Sequence, residues 1–379
     1  MKKRFFFYIL SAVALASCSK GNSDTTPIKT DSVPSGQSSI FTVATAEKAF
    51  DAFNDACYDK SAKLYYENTD KKDVGVVWAQ AIFWDIAINA YKQSQNPKYL
   101  TIVNDMYEGG GNYYGHYDWT NKTYWFIYDD MMWWVIALTN ASVLTSNQTY
   151  LQTAIAGFDQ IWKGSYDPQK GGMWWDFDHK SKNSCINFPT VIGAMKLFNA
   201  TKDSSYFYKA KEIYAWGKTY LTDSTRGRVS DNKSVNGEVY YTDYTYNQGT
   251  YIGAAVMLYK ATNVKGYLDD AIAAANYTKN VMSDGDGILP AEGDWNAQGV
   301  LKAIFGQYMY MLIYDANQTQ YVPWMKNNIS LAWKNRDMTR NLMYRDYTIP
   351  SLSTMMQSYE ACSGVALMQL FNKEFGKTN

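Results

Sequence analysis

The residues best suited to chemistry in this 379-residue chain are two adjacent aspartates, Asp129 and Asp130, in the segment TYWFIYDDMMWWVIALTN. Aromatic residues crowd the pair on both sides: Trp125, Phe126, Tyr128, Trp133 and Trp134. Burial and mutual repulsion raise the pKa of one carboxyl group and leave the other ionised. One protonated and one ionised carboxyl group are what the cleavage of a glycosidic bond requires.

Helix capping is the alternative interpretation of the pair. Aspartate is favoured at the start of a helix, where it meets free backbone N–H groups and the positive end of the dipole. Consecutive helical side chains point about 100° apart, so two such carboxylates do not easily serve one bond. If the first aspartate at a helix start is non-helical, both carboxylates can converge, and capping and catalysis are then compatible.

The elements that position this pair are predicted to be helices. Apolar residues recur at three- and four-residue spacing from about residue 45 onwards, with turn signals such as Asn96-Pro97 between segments. Strand alternation is weak, and only a short hairpin near Arg228–Tyr241 is predicted. The predicted helices span 45–65, 75–94, 97–108, 129–145, 149–163, 184–201, 205–221, 246–262, 265–282, 298–315, 319–335 and 351–372.

Short and long connectors alternate between these helices. This alternation predicts six helical hairpins whose long loops share one end, which is an all-α fold, an (α/α)6 barrel. The inner ring is predicted to be the more apolar set, because it is buried on all sides. An open helical solenoid is the alternative, and the lack of a fixed-length repeat disfavours it. The predicted inner helices are 75–94, 129–145, 184–201, 246–262, 298–315 and 351–372.

The long loops at one end of this barrel are predicted to form the site. They are rich in glycine and in Asp, Asn, Trp and Tyr, whose side chains suit sugar hydroxyls and ring faces. Aromatic residues make up 16% of the chain, with more Tyr and Trp than an ordinary core needs. A carbohydrate is therefore the expected ligand.

Charge and histidine content exclude other classes of function. The 36 basic and 36 acidic residues balance, so nothing indicates a nucleic-acid partner. Only two histidines occur, His116 and His179, which excludes a metal site built on several histidines. We expect no cofactor.

The N-terminus has the pattern of a bacterial lipoprotein. A basic start and an apolar stretch precede the sequence LASC, which ends at Cys18. We predict that Cys18 is lipidated and anchors the protein at the outer membrane of the cell envelope, on the surface or periplasmic face. Simple secretion, with Cys18 incidental, is the alternative. The predicted parts are a signal peptide over 1–17, a flexible tether over 18–44 and a catalytic domain over 45–379.

Several motifs, in order along the chain, resemble one known family. They are YDD with the following WW (128–134), GGMWW (171–175), NSCIN (183–187), TYNQG (245–249) and GDWNAQGVLKAIFGQY (293–308). Together they resemble glycoside hydrolase family 76, the bacterial and fungal endo-α-1,6-mannanases. The resemblance covers nearly the whole mature chain, from about Trp78 to the last helix.

The resemblance implies an (α/α)6 barrel, no metal, and retaining hydrolysis of α-1,6-linked mannose backbones by endo action. It makes Asp129 the nucleophile and Asp130 the acid/base. A retaining enzyme needs its carboxyl groups roughly 5–5.5 Å apart, which neighbours at a helix start can satisfy. The expected partner is α-mannan or its oligosaccharides, bound by a monomeric, lipid-anchored protein.

Candidate substrate-binding residues come from these motifs and from the first inner helix. Side-chain amides donate to and accept from sugar hydroxyls, and Tyr and Trp rings stack on sugar faces. The candidates are Gln80, Tyr128, Trp174, Trp175, Asn187, Tyr246, Asn247 and Gln248. For Asn247 the alternative is helix capping, and one of the two tryptophans is expected in the core. Further loop acids are predicted to be turn formers, with one a candidate for a mannose diol: Asp176, Asp178, Asp243 and Asp294.

Two other functions are compatible with the pattern. A hydrolase or lyase on the same barrel would act on another glycan, but such relatives lack a paired Asp-Asp in this setting. A non-catalytic surface glycan-binding lipoprotein would keep the aromatic wall without needing two neighbouring carboxylates. An Asp129→Asn variant distinguishes the glycan-binding protein from an enzyme. Glycan binding survives the substitution in both, but only an enzyme loses turnover.

Overall fold

Twelve α-helices make up most of the described chain. The computed structural model describes residues 42–293 and 295–374, and the account of the fold refers to these. A 3₁₀ segment precedes the tenth helix, and π-helical turns extend the ninth and tenth helices. The helices are α1 Val43–Cys57, α2 Val77–Ser94, α3 Pro97–Tyr113, α4 Tyr128–Thr145, α5 Gln148–Ser165, α6 Ser184–Thr201, α7 Ser204–Leu221, α8 Thr245–Thr262, α9 Lys265–Tyr277, α10 Leu301–Tyr310, α11 Val322–Lys334 and α12 Ser358–Phe371.

The even-numbered helices form a closed inner ring. Each of them packs against the next, from α2 through α4, α6, α8 and α10 to α12, and α12 packs back against α2. Outside this ring α3 packs on α2, α5 on α4, α7 on α6 and α9 on α8, while α1 and α11 pack on α12. The predicted (α/α)6 barrel is confirmed, and the open solenoid is excluded.

The two rings differ in how much of each helix is buried. All 14 residues of α12 are buried. On the outer helix α5 the buried residues recur at three- and four-residue steps, as with Tyr150, Ala154, Phe158 and Ile161. A helix that is apolar all round needs neighbours on every side, which only the inner ring supplies. The inner helices are therefore the more apolar set, as the sequence predicts.

Four inner helices end in the same two-residue turn. The first residue of each turn has a left-handed backbone conformation, with φ of 57°, 58°, 65° and 56° at Gln95, Ser146, Lys202 and Asn263. In three of the turns the next residue caps the following outer helix through its side chain: Asn96, Asn147 and Asp203. Short turns thus follow the C-terminal ends of the inner helices, and long loops precede their N-terminal ends.

Short antiparallel strands brace the long loops. β1 pairs with β2, β4 pairs with β5, and a three-stranded sheet has the order β3-β6-β7. The hairpin predicted near Arg228–Tyr241 is present as β6 and β7, but β5 in the same segment pairs with β4 instead. The strands are β1 Tyr58–Asp59, β2 Leu64–Tyr65, β3 Ser181–Asn183, β4 Thr222–Asp223, β5 Arg228–Val229, β6 Asn232–Ser234 and β7 Val239–Tyr240.

One helix is longer than the sequence predicts. The helix expected over 97–108 continues to Tyr113, through three glycines that we assign from sequence to a loop. A Cβ atom on Gly109 would lie 2.4 Å from the backbone oxygen of Lys63, and one on Gly110 would lie 2.6 Å from the Trp134 ring. Close packing, rather than a turn, therefore requires these glycines.

Two other helices are shorter than predicted. The first, expected over 45–65, ends at Cys57, and the hairpin of β1 and β2 follows it. The last, expected from residue 351, begins at Ser358 after a capping box. In that box the Glu360 carboxylate accepts a 3.1 Å hydrogen bond from the Gln357 N–H, which fixes where the helix starts.

Some predictions fall on other parts of the chain. The signal peptide over 1–17, the lipidated Cys18 and most of the tether lie outside the described residues, as does Asp294. Within the described ranges, we find no helix with both the length and the apolarity needed to cross a bilayer.

Candidate active site

A cleft with a volume of about 540 Å³ opens where the N-terminal ends of the inner helices meet. Residues at the first turns of α2, α4, α6, α8 and α10 line it, together with residues of the long loops. The closed ring brings these turns together although they are far apart in sequence. The site thus lies at the end of the barrel that the loop lengths predict.

Asp129 and Asp130 both line this cleft, from the first turn of α4. Ile127, directly before the helix, is extended and gives no side-chain cap. The Asp129 carboxylate accepts a 2.9 Å hydrogen bond from the Asp130 N–H. Both aspartates are helical, so the expectation that the first is non-helical is wrong, and yet both face the same cleft.

The loop between α5 and α6 holds the start of α4 in place. The Trp175 carbonyl accepts a 3.1 Å hydrogen bond from the Tyr128 N–H. A buried ion pair of 2.7 Å between Lys182 and Asp167 secures this loop, and the Lys182 ammonium lies 4.3 Å from the centre of the Trp174 ring. The aspartate pair is therefore attached to a braced loop as well as to its helix.

The two carboxyl groups have different surroundings. Asp130 is only 7% exposed, and burial, followed by the negative charge of Asp129, raises its pKa well above the usual range. Burial raises the pKa of Asp129 to about 6, while hydrogen bonds from the Cys185 thiol, the Trp175 indole and backbone N–H groups limit the rise. Asp130 therefore keeps the proton of the pair, and Asp129 is the carboxylate near neutral pH.

Two of the predicted substrate-binding residues, Trp175 and Tyr246, line the cleft. The Trp175 indole lies in the cleft with Asp129 and helps to limit the rise in the pKa of its carboxyl group. Tyr246 lies on the first turn of α8 and lines the cleft together with Cys185. Both side chains sit within reach of a ligand that contacts Asp129.

Gln80 and Asn187 do not line the cleft. Gln80 is fully buried, where it accepts from the Tyr65 N–H at 2.8 Å and donates to the Tyr65 carbonyl at 2.8 Å. Asn187 likewise accepts from the Met173 N–H at 2.8 Å and donates to the Met173 carbonyl at 3.0 Å. Each side-chain amide pairs with the backbone N–H and carbonyl of one residue, as a neighbouring β-strand would. We therefore correct the assignment of Gln80 and Asn187 from sugar ligands to residues that stabilise the loops.

Gln248 and Asn247 also lie behind the cleft wall. Gln248 accepts from the Val229 N–H at 3.1 Å and donates to the Gly227 carbonyl at 3.2 Å, which attaches α8 to the loop ahead of it. Asn247 is buried and donates to the Asp231 carboxylate at 3.4 Å. It does not cap α8, whose N-cap position is Tyr244. Asn247 therefore acts on the site only through Asp231.

Neither Tyr128 nor Trp174 lines the cleft. The Tyr128 ring packs against Phe177 with ring centres 4.4 Å apart. Trp174 is half-buried and stacks on His179, with ring centres 5.3 Å apart. Of the tryptophan pair, Trp175 faces the cleft, and Trp174 belongs to the loop packing.

Sequence reasoning misses a third carboxylate in the cleft, Asp231. It follows β5 and is half-buried, and burial raises its pKa despite hydrogen bonds from Asn232 and Asn247. Its backbone carbonyl accepts from the Ser184 N–H at 2.9 Å, at the start of α6. The run SDNKS gives no local signal, because only the pairing of β3 with β6 brings this residue to the site.

The ionisable charge of the cleft comes from the acidic side chains Asp129, Asp130 and Asp231. No Lys, Arg or His of the described chain lines it. Among residues 42–293 and 295–374, no cluster of three or more His, Cys, Asp or Glu could hold a metal ion. The chemistry available here is that of a protonated carboxyl group beside an ionised one, with neutral donors around them.

Solved structures with the same architecture include carbohydrate enzymes. The α-1,6-mannanase GH76A of Salegentibacter sp. HEL1_6 has a TM-score of 0.80 and 27% identity, over 87% of this chain and 98% of that chain. A variant of that enzyme with two consecutive aspartates changed to alanine is described as inactive and was solved with α-1,6-mannotetrose. A family 76 α-mannanase of Bacteroides thetaiotaomicron has a TM-score of 0.74 at 19% identity, over 87% of this chain and 95% of that one, which shows the shared fold.

Sequence comparison reaches the same family. A Schizosaccharomyces pombe protein named "Putative mannan endo-1,6-alpha-mannosidase" is 25% identical over 203 residues, which are 49% of this chain. The match spans 46% of that protein, about half of its length. The sequence pattern of glycosyl hydrolase family 76 matches residues 42–377, a range that spans all of the described residues. This chain therefore belongs to glycosyl hydrolase family 76.

Proposed function

We propose that this protein is a retaining endo-α-1,6-mannanase in which Asp129 is the nucleophile and Asp130 the acid/base. The observation that carries the proposal is the carboxyl pair in the cleft, one group protonated and one ionised. A family relative with bound α-1,6-mannotetrose supports the choice of substrate. That relative is inactive without two consecutive aspartates, and Asp129-Asp130 is the consecutive pair that lines the cleft here.

The reaction follows from the protonation states of the pair. Asp130 gives its proton to the glycosidic oxygen while the Asp129 carboxylate attacks the anomeric carbon, which breaks the C–O bond and leaves a mannosyl ester on Asp129. Asp130, now ionised, takes a proton from water, and the hydroxide attacks the same carbon. Asp129 leaves as a carboxylate, and the product keeps the α configuration.

Digestion of debranched yeast α-1,6-mannan by the soluble protein lacking residues 1–18 tests the proposal. We expect a ladder of short manno-oligosaccharides from the wild type and none from Asp129→Asn or Asp130→Asn. Asp269→Asn is a matched control, because Asp269 also belongs to an Asp-Asp pair but lies on α9, paired with Lys265 at the surface.

The outcomes separate the competing functions. Release of mannose alone would contradict endo action, and β-configured initial products by NMR would contradict retention. Binding of the mannan without any cleavage would favour a glycan-binding protein. Neither binding nor cleavage would mean that the glycan is a different one.

We also propose that Cys18 carries lipid and holds the enzyme at the outer membrane, because a basic and apolar leader ends at LASC. Mass spectrometry of the mature N-terminus tests this, with Cys18→Ser as the variant expected in the soluble fraction. An unmodified Cys18 in membrane-free protein would contradict it. We also propose that the protein is a monomer, which sedimentation tests directly.

A further inference from the structure

Cys185 occupies a position in the cleft that the proposed reaction does not use. Of the three free cysteines described, it is the one that lines the cleft, and its side chain is only 3% exposed. It is the second residue of α6. The preceding residue, Ser184, is held by hydrogen bonds from its backbone N–H and from its side-chain hydroxyl. The Ser184 N–H donates to the Asp231 carbonyl at 2.9 Å, and its hydroxyl donates to the Ser230 carbonyl at 2.6 Å.

The Cys185 thiol links two helices at the site. It lines the same cleft as Asp129 on α4 and Tyr246 on α8, and its interaction with each of them shifts their pKa values. A carboxylate only accepts, so the thiol donates to Asp129, and the Tyr246 hydroxyl is then left to donate to the sulfur. Three side chains from three inner helices thus form one directed chain that ends on Asp129.

Neutral donors are the main support available to the Asp129 charge. The titratable groups facing this part of the cleft are acidic or phenolic: Asp130, Asp231, Tyr113, Tyr114, Tyr124, Tyr244 and Tyr246. No basic side chain of the described residues lines the cleft. Each donor therefore matters more than it would beside an arginine, since nothing else there compensates the negative charge.

We propose that Cys185 is a positioning residue for the nucleophile: its S–H donates to the Asp129 carboxylate and the Tyr246 O–H orients that S–H. This inference rests on the proposed function, in which Asp129 attacks as a carboxylate. The hydrogen bond from Cys185 orients one oxygen of the Asp129 carboxylate and favours the ionised form of Asp129. Burial raises the pKa of the thiol itself, so it stays protonated and keeps its proton for donation.

A buried cysteine can also be simple apolar packing. The pH dependence separates the two roles, because looser packing around Asp129 would lower its pKa, whereas the loss of a donor would raise it. In Cys185→Ala one donor is lost, so the pKa of Asp129 rises and the acidic limb of kcat/KM moves up by about one pH unit. Cys185→Ser restores a donor, and its limb is expected close to that of the wild type.

A second readout does not depend on activity. In protein labelled with ¹³C at the aspartate carboxyl carbons, the Asp129 signal is assigned by its loss in Asp129→Asn and titrated in wild type and Cys185→Ala. A higher pKa in Cys185→Ala supports the inference even if mannan is not the substrate. An unchanged pKa overturns it, whatever the enzyme cleaves.

Tyr246→Phe keeps the test valid if Cys185→Ala does not fold. Removal of the phenolic O–H leaves the thiol free to turn away, so we expect a smaller upward shift in the same titration. An equal upward shift in Cys185→Ala and Cys185→Ser would show that the lost donor is not its cause and would overturn the inference. Thermal unfolding of each variant provides the control for folding.

Discussion

Asp129 and Asp130 are adjacent in sequence but differ in what surrounds their carboxyl groups. Asp129 receives hydrogen bonds from two side chains on other elements, whereas burial and its neighbour's charge dominate at Asp130. Neighbouring groups, rather than residue type, therefore assign one residue to attack and the other to proton transfer.

The roles can be told apart by azide rescue. With an aryl α-1,6-mannobioside that has a good leaving group, Asp130→Ala is expected to form the glycosyl enzyme without acid assistance. Azide then gives the α-glycosyl azide and restores turnover that is otherwise lowered by about 10²–10⁴-fold. Asp129→Ala lacks the nucleophile, so any azide product is β by direct displacement. NMR of the azides checks this, and an α-azide from the Asp129 variant would reverse the assignment.

The charge on Asp129 is expected to weaken the fold. Its pKa rises from 3.8 to about 6 on folding, so its contribution to stability is present below about pH 4 and lost as the pH rises through 6. Asp129→Asn removes that loss and should raise the free energy of unfolding by roughly 1–3 kcal/mol at pH 8. Urea titrations at pH 8 and pH 4 measure the difference.

The gain in Asp129→Asn is expected to shrink at pH 4, where the wild-type group is protonated in the folded state and about half protonated in the unfolded state. Asp269→Asn serves as the control, because its exposed pairing with Lys265 is worth little. A gain in Asp129→Asn that is as large at pH 4 as at pH 8 would contradict the argument.

At the scale of single residues, the sequence predicts which residues do the chemistry better than it predicts what each side chain contacts. The Asp-Asp pair is recognisable because two carboxylates amid aromatic residues have no structural purpose. Gln80, Asn187 and Gln248 are not distinguishable from sugar ligands in the same way, since the direction of an amide depends on loops that pack against it. Asp231 is missed because a strand pairing between distant segments places it in the cleft.

At the scale of elements, α3 shows how closely two parts of the chain approach. Its glycines remain in the helix because the backbone at Lys63 and the ring of Trp134 occupy the space of a side chain. Periodicity predicts the helix, but a glycine run has the same appearance in a loop. Only the surface that packs against the glycines distinguishes a glycine run in a helix from one in a loop.

Gly109→Ala tests this packing. The Cβ atom would meet backbone, which cannot turn aside, so we expect the free energy of unfolding to fall by about 2–3 kcal/mol. Gly266→Ala in α9 is the matched control, because nothing lies within 4 Å of its Cβ position. There alanine is expected to stabilise by about 0.5 kcal/mol through helix propensity. Equal effects at the two sites in chemical denaturation would refute the packing argument.

At the scale of the whole molecule, α12 closes the ring between α10 and α2. The alternation of short and long connectors predicts this closure from sequence, because six hairpins with loops at one end complete a circle. It does not predict that α1 packs on α12, which depends on where the chain begins its first turn around the barrel.

Removal of α12 should abolish cooperative folding. A protein ending at residue 357 would expose the apolar sides of α2 and α10, so we expect aggregation and no sharp thermal transition. A protein ending at residue 374 keeps all twelve described helices and is expected to unfold in one transition, like the full chain. Gel filtration and circular dichroism distinguish these results, and a folded monomer ending at 357 would contradict a closed ring.

The two-residue turns after α2, α4, α6 and α8 have a practical consequence. They follow helix ends that lie about 27 Å from the cleft, since each of these helices has 18 residues. A peptide handle inserted between Ser146 and Asn147, for example, would attach the protein to a bead by its back. The open cleft would then face the liquid, and a long polysaccharide could thread past many such molecules without meeting the support.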